Sequence, residues 1–282
     1  MSMAETIGLI AGAGRAPMLV ADGVLAAGKR LAVVGLKGFA SPHLAGLADA
    51  FTWGGVLRMG GWIRFFRAQG VRRAVMIGSV RKGDMYLPFR ILRYMPDARA
   101  FRIWYGRLRK DKRDNAALLA AADELAREGI ELISSVEYCM DQLADDGVMT
   151  RTQPSREVLL DIEFGWPIVR DCARLDIGQA LAVKERDIIA VEAIEGTDAM
   201  IRRAGELCKN GGWSLLKVAR PDQDMRFDVP TIGPDTIRNL AECKCTCVVL
   251  QAGRTLIADK PATLALADKL KIAVVGKSAG NR

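Results

Sequence analysis

The sequence predicts an α/β protein, a parallel-sheet domain followed by a second α/β domain. Three observations predict it. Short apolar runs alternate with stretches of helical spacing, as strands do when crossover helices join them. A glycine turn separates the first apolar run from the first helical stretch. The chain of 282 residues amounts to about two domains at roughly 150 residues each, and a polar stretch holding Gly147 and Pro154 divides it near the middle. The expected boundaries are 1–137 for the first domain, 138–155 for a linker region and 156–282 for the second.

Residues 7–11 form a short apolar run that Gly12-Ala13-Gly14 breaks, and 17–26 carry helical spacing. A second strand is expected over 30–35, a helix over 60–68, and a third strand over 74–78, ending at Gly78-Ser79. Asp114 or Asn115 is placed to cap a helix whose apolar face is Leu118, Ala121, Ala122 and Leu125, closed by Gly129, with a strand over 130–133. Beyond the polar stretch, a helix is expected over 157–174, with Pro167 as the place for a bend. Residues 180–183 and 188–191 flank Lys184-Glu185-Arg186-Asp187 as a hairpin. Thr197 is placed to cap a helix reaching Leu207, and 214–218 is another strand. Gly233-Pro234-Asp235 opens a further helix, with proline at its first position and an acidic residue in the first turn. Strands near 247–250, 255–258 and 272–275 complete the second domain.

Half of the residues are apolar and 26% are charged, which excludes disordered, collagen-like and mucin-like classes. No apolar run approaches the ~18 residues of a membrane-spanning helix. The first ten residues have no basic stretch ahead of a long apolar one, so they do not read as a signal peptide. The expected compartment is the cytoplasm or its membrane surface. Lysine and arginine number 41 against 33 acidic residues, a net charge of +8. Residues 81–113 alone hold 11 basic and 3 acidic residues and so account for the whole excess. Aromatic side chains, among them Tyr86, Phe101 and Trp104, interleave with these cations. Such a window suits a solvated helix face, an anionic membrane surface or nucleic acid. No recognised nucleic-acid motif accompanies it, which places nucleic acid behind the membrane.

The six cysteines do not form a secreted disulfide framework. Cys243, Cys245 and Cys247 make C-x-C-x-C, but with His43 the only histidine a zinc site would need ligands from elsewhere. These cysteines enter a strand in which alternate residues share a face, and free thiols packed as small hydrophobes are expected. His43 lies between loop-like neighbours, so a catalytic base is expected to be a carboxylate.

Three segments carry candidate chemistry. Gly12-Ala13-Gly14 opens a helix, where glycines let backbone N–H groups approach a diphosphate, or where they make a plain tight turn. With Gly78 and Ser79 at the end of the third strand, they are substrate-binding candidates. Pro17 in place of a third glycine, and Gly35-Leu36-Lys37 without a ribose-binding carboxylate, disfavour a nicotinamide enzyme. In Glu192-Ala193-Ile194-Glu195-Gly196-Thr197-Asp198, a strand end runs into a helix start, and Thr197 suits either a cap or a phosphate oxygen. The segment 217–233 crowds Lys217, Arg220 and Arg226 against Asp222, Asp224 and Asp228 ahead of another helix start. That mixture serves phosphoryl transfer, with carboxylates for a cation or a water and cations for developing charge, or equally a turn laced with salt bridges.

Together these motifs resemble the LpxI family, the UDP-2,3-diacylglucosamine pyrophosphatases of lipid A biosynthesis. The resemblance rests on Gly8-Leu9-Ile10-Ala11-Gly12, on RLDIGQ at 174–179, on EAIEGTDAM at 192–200 and on Arg226-Phe227-Asp228-Val229-Pro230-Thr231-Ile232-Gly233. It spans nearly the whole chain in the same order. It implies hydrolysis of UDP-2,3-diacylglucosamine to 2,3-diacylglucosamine 1-phosphate (lipid X) and UMP, assisted by a divalent cation such as Mg²⁺, with water attacking the phosphorus nearer the sugar. It also implies a Rossmann-like first domain and a family-specific α/β second domain that carries catalysis, with substrate held between them. By this matching Asp228 is catalytic, with Asp224 as a second candidate, and Asp228 and Glu195 are metal candidates. Gln179, Gly196, Thr197, Asp198, Lys217 and Arg226 become substrate-binding candidates, as do Asp114 and Asn115, the latter where a second aspartate is usual. Ala13 replaces the middle glycine of the family's loop. The implied partners are the glycolipid nucleotide and the cytoplasmic face of the inner membrane, held peripherally, with a homodimer as one expected assembly. The other class of function kept open is a nucleotide-sugar or nucleic-acid binding protein without turnover.

Overall fold

The structure is a computed structural model that describes residues 4–80, 97–103, 114–221, 223–226 and 229–279, with backbone alone at 102, 103 and 114–117. The described chain divides into two compact units. One comprises residues up to Cys139 together with Asp224, Met225 and Arg226; the other runs from Met140 to Gln223 and resumes at Val229.

In the first unit, β1 (Thr6–Ala11), β2 (Arg30–Leu36), β3 (Ala50–Gly54), β4 (Arg73–Ile77) and β5 (Glu131–Leu132) form a parallel sheet in the order β3-β2-β1-β4-β5. The strands β1 and β2 are buried almost throughout, as strands covered on both faces must be. Helix α1 (Ala16–Ala26) buries Val20, Ala21 and Val24. The short α2 (Leu44–Leu47) precedes β3. On the face where Ile10, Ala32 and Val34 point, α3 (Met59–Ala68) contributes Trp62, Ile63 and Phe66, and α5 (Asp114–Arg127) contributes Ala122 and Leu125. Between them lies α4 (Ala98–Ile103), ahead of which Asp97 accepts the N–H groups of Gly60, Arg99 and Ala100. Arg99 pairs with Glu124 and Glu128, so this cation of the basic window is already matched. Residues 81–96 and 104–113 of that window lie outside the described residues.

The second unit is built on a six-stranded mixed sheet in the order β6-β13-β11-β9-β7-β8. Its strands are β6 (Gly147–Val148), β7 (Ala180–Lys184), β8 (Asp187–Val191), β9 (Trp213–Lys217), β11 (Cys245–Gln251) and β13 (Ala273–Lys277). Helix α6 (Arg156–Arg174) covers one face, packing Ile162, Trp166 and Val169 against Leu181, Leu216 and Val249. The opposite face is covered by α7 (Thr197–Leu207), α8 (Pro234–Glu242) and α9 (Lys260–Lys269). The pair β10 (Thr231–Ile232) and β12 (Leu256–Ile257) forms a separate parallel ribbon, so the strand expected over 255–258 does not join the large sheet.

Three expectations change. The polar stretch read as a linker is sewn to the last strand: β6 pairs antiparallel with β13, and Thr150 Oγ1 accepts the Val274 N–H at 2.9 Å. Cys245 and Cys247, two apart, fall on opposite faces of the sheet, because the register of β11 against β9 shifts between them. Gly196, not Thr197, is the N-cap of α7, and Thr197 is its first helical residue. Besides the short α2, α4, β6 and β10, two longer elements among the described residues escape the sequence pattern. The half-buried edge strand β3 has no apolar run, and the buried stripe of α9 is only Thr263 and Ala267.

Candidate functional site

In the first unit, the glycine turn meets the end of β4. The Gly12 N–H donates to the Ile77 carbonyl (2.9 Å) and the Ala13 N–H to the Ser79 carbonyl (2.8 Å), while the Ser79 N–H returns to the Ala13 carbonyl (2.9 Å). A side chain at Gly12 would stand 2.7 Å from the Gly78 carbonyl carbon, so both glycines serve close backbone contact. Neither the Gly12 nor the Ala13 amide is left for a phosphate. Gly14, at φ +101° and with open space around it, is the part of the turn that still faces outward. The amides that sequence placed around a diphosphate therefore join β1 to β4, at the point where strand order reverses and such sheets usually bind ligands.

In the second unit, three strand ends converge. β7 runs antiparallel to both β8 and β9, which brings Ala180 opposite Lys217. The Glu192 N–H donates to the Ala180 carbonyl and the Val218 N–H to the Gln179 carbonyl, each at 2.9 Å. Gly178 closes the arrangement: a Cβ there would lie 1.9 Å from the Glu192 carbonyl oxygen, so only glycine allows the two loops to meet. The Arg220 guanidinium binds Asp176 at 2.6 Å and ties this turn to the chain after β9.

At this end Lys217 and Glu192 are buried, at 5% and 7% exposure. Lys217 Nζ donates to Thr197 Oγ1 at 2.6 Å, and Thr197 Oγ1 donates to Glu192 Oε1 at 2.9 Å. Glu192 Oε2 and Gln179 Oε1 are buried without a hydrogen-bond partner among the described residues. Gly196 offers α7 no side-chain cap, so the first-turn amides sit beside a buried ammonium, an arrangement suited to an anion. Asp198 is exposed in that first turn. The structure thus brings Gln179, Gly196, Thr197 and Lys217 to one sheet end.

Glu195 lies apart in chemistry. Its own backbone N–H and then the Arg203 guanidinium hold its carboxyl below the usual range, and it also accepts the Ala193 N–H at 3.1 Å. Asp224 is bound by Arg226 Nε at 2.9 Å and Nη2 at 2.6 Å, and this pairing depresses its carboxyl, leaving a poor proton acceptor near neutral pH. Between them Met225 is strapped to Ser135, whose N–H and hydroxyl both donate to its carbonyl, at 2.9 and 2.7 Å. Asp222 and Asp228, and the side chains of Asp114 and Asn115, lie outside the described residues.

Among the described residues no three His, Cys, Asp or Glu side chains gather as a metal site, and Glu195 is already engaged by Arg203. The described donors therefore do not by themselves fit a divalent cation. All six cysteines are free. Burial pushes the Cys245 thiol up to about 12 and the Cys247 thiol higher still, which is how inert core thiols behave. No described helix is long and apolar enough to cross a membrane.

Sequence reasoning quoted Glu192 inside its motif but gave it no role. The available signal was a carboxylate closing an apolar strand, five residues before a helix threonine.

Comparison with known proteins assigns residues 6–142 to the LpxI N-terminal domain and 145–275 to the LpxI C-terminal domain. The chain is also similar to the UDP-2,3-diacylglucosamine pyrophosphatase LpxI of Caulobacter vibrioides, at 35% identity over 278 residues, covering 96% of each chain.

Proposed function

The chain belongs to the LpxI family, and from that premise we propose that it hydrolyses the pyrophosphate of UDP-2,3-diacylglucosamine, an early step of lipid A biosynthesis. The products are UMP and 2,3-diacylglucosamine 1-phosphate. The observation that carries the reading onto this chain is the buried Lys217 ammonium beside the uncapped first turn of α7. A dianionic diphosphate needs such a pairing of fixed cation and backbone amides.

In this reading the pyrophosphate lies against Lys217 and the amides following Gly196, with Gln179 and Asp198 bordering it. Water attacks the phosphorus nearer the sugar, a new P–O bond forms, and the bridging oxygen departs with UMP. Lys217 answers the negative charge that grows on the phosphoryl oxygens. Asp228 takes the proton of the attacking water, an assignment supported by the family motif alone. Asp224 and Arg226 hold the loop before it, since the carboxylate of the pair is occupied. Gly14, Gly78 and Ser79 remain proposed substrate contacts of the first unit, as do Asp114 and Asn115. Mg²⁺, with Asp228 as its ligand and Glu195 freed from Arg203 as a second, is proposed on the resemblance. A peripheral place on the cytoplasmic face of the inner membrane and a homodimer are proposed on the same ground.

The test is release of UMP from UDP-2,3-diacylglucosamine, run in ¹⁸O-water and repeated with EDTA. The label is expected in the sugar phosphate. Absence of UMP overturns the function, label in UMP overturns the site of attack, and full activity in EDTA overturns the cation. Asp228→Ala is expected to abolish turnover with an unchanged melting temperature, and near-normal turnover would remove Asp228 from catalysis.

A further inference from the structure

We propose that Glu192 is a positioning residue that acts through the Thr197 hydroxyl on Lys217; this rests on the pyrophosphate reading above. The direction of each hydrogen bond is fixed by chemistry. An ammonium has protons and no lone pair, so Thr197 Oγ1 accepts from Lys217. A carboxylate has lone pairs and no proton, so the single hydroxyl proton goes to Glu192 Oε1. Thr197 therefore has no proton to give a phosphate. Its hydroxyl holds the ammonium at the first turn of α7 instead.

Glu192 makes that direction obligatory. Its backbone is anchored by the Ala180 carbonyl and by the close approach of Gly178, so its carboxylate is presented from a rigid strand end. It is buried, and Oε2 carries no partner among the described residues. A buried carboxylate is costly to desolvate, and its hydrogen bond from Thr197 ties it to the one hydroxyl that also holds Lys217. The cost is offset where a cation is held nearby, and Lys217 is reached through one hydroxyl. Position of the ammonium matters most when charge develops during reaction, so the relay works on kcat more than on KM.

The experiment is a double-mutant cycle on the full chain, following UMP release from UDP-2,3-diacylglucosamine and melting temperature together. Glu192→Ala is expected to lower kcat about tenfold with KM within twofold, and Thr197→Val to do the same. Glu192→Gln, which keeps an acceptor for the hydroxyl, is expected within threefold of the wild type, as is Thr197→Ser. In the Thr197→Val background, Glu192→Ala is expected to cost less than a further twofold. Losses that multiply to about a hundredfold would overturn the proposal. So would a Gln variant as impaired as the Ala variant, or a fall in melting temperature with kcat unchanged. Should Glu192→Ala fail to fold, Glu192→Leu, which also removes the acceptor, takes its place in the cycle against Thr197→Val. If the wild type releases no UMP, the reaction falls, and NMR titration of the Lys217 ammonium decides the relay separately: Glu192→Ala and Thr197→Val are expected to shift it alike, and an unmoved Lys217 in both overturns the relay.

Discussion

The two units end their central strands in opposite ways. At the junction of β1 and β4 the backbone closes on itself: Ala13 and Ser79 exchange two hydrogen bonds, and Gly12 lies against Gly78. At the junction of β7, β8 and β9 the backbone is equally well paired, but charged side chains are buried there and an uncapped helix starts beside them. A glycine turn ahead of a helix is thus a weak guide to an anion site, because its amides can be spent on the neighbouring strand. A buried lysine hydrogen-bonded in sequence to a threonine and a glutamate is a stronger one, since burying such charges is costly and the sheet end holds them in place.

The sharpest way to break this contrast is to remove the cation. Lys217→Met is expected to lower kcat/KM for UMP release by about a hundredfold to a thousandfold, the usual cost of losing one preorganised group on a developing anion. A loss under threefold would strip the second unit of its assigned role. Next in size is Gly12→Ala, expected to cost about 1–3 kcal/mol in urea unfolding, because a methyl group must displace the Gly78 backbone. Unchanged stability with lost affinity for UDP would restore the turn as a phosphate cradle.

Smaller effects concern the strap at Met225. Asp224→Asn is expected to cost up to about 1 kcal/mol at neutral pH, discounted for the partly exposed Arg226. Since pairing with Arg226 lowers the Asp224 carboxyl in the folded state, its contribution is complete above the ordinary carboxylate value of about 3.9 and is lost as pH falls through the lower folded value. Stability curves of wild type and variant should therefore converge only in strong acid; a constant gap down to pH 2 would reject the pairing. Smallest of all, iodoacetamide at pH 8 is expected to leave Cys245 and Cys247 unlabelled in the native protein by mass spectrometry. Rapid labelling of either would contradict their burial.

The alternation of strands and helices could be read from the sequence because β1, β2, β7 and β9 are mostly apolar, with turns or helical periods between them. Edge strand β3 carries Thr52 among half-exposed neighbours and gives no such run. The strand-end pairings were hidden for another reason. Ala13 and Ser79 are distant in the chain, and only the sheet order brings them together; Gly178 meets Glu192 across the expected β7–β8 hairpin, where the closeness of the contact shows only in three dimensions. Lys217 and Thr197 were picked out by family motif, but the hydroxyl's direction, and with it the part played by Glu192, follows from three residues on three elements. The split between Cys245 and Cys247 depends on one irregular residue that strict alternation cannot express.

One feature of connectivity bears on how this protein can be handled. Asp224, Met225 and Arg226 belong with residues encoded more than eighty positions earlier, as a stitch passed through a neighbouring cloth and drawn back. A gene divided after Cys139 would yield a front fragment whose Ser135 hydroxyl has lost its carbonyl, and a rear fragment carrying a loop without Ser135 to fasten it. Co-expressed pieces would have to rethread that loop before either regained its native set of bonds.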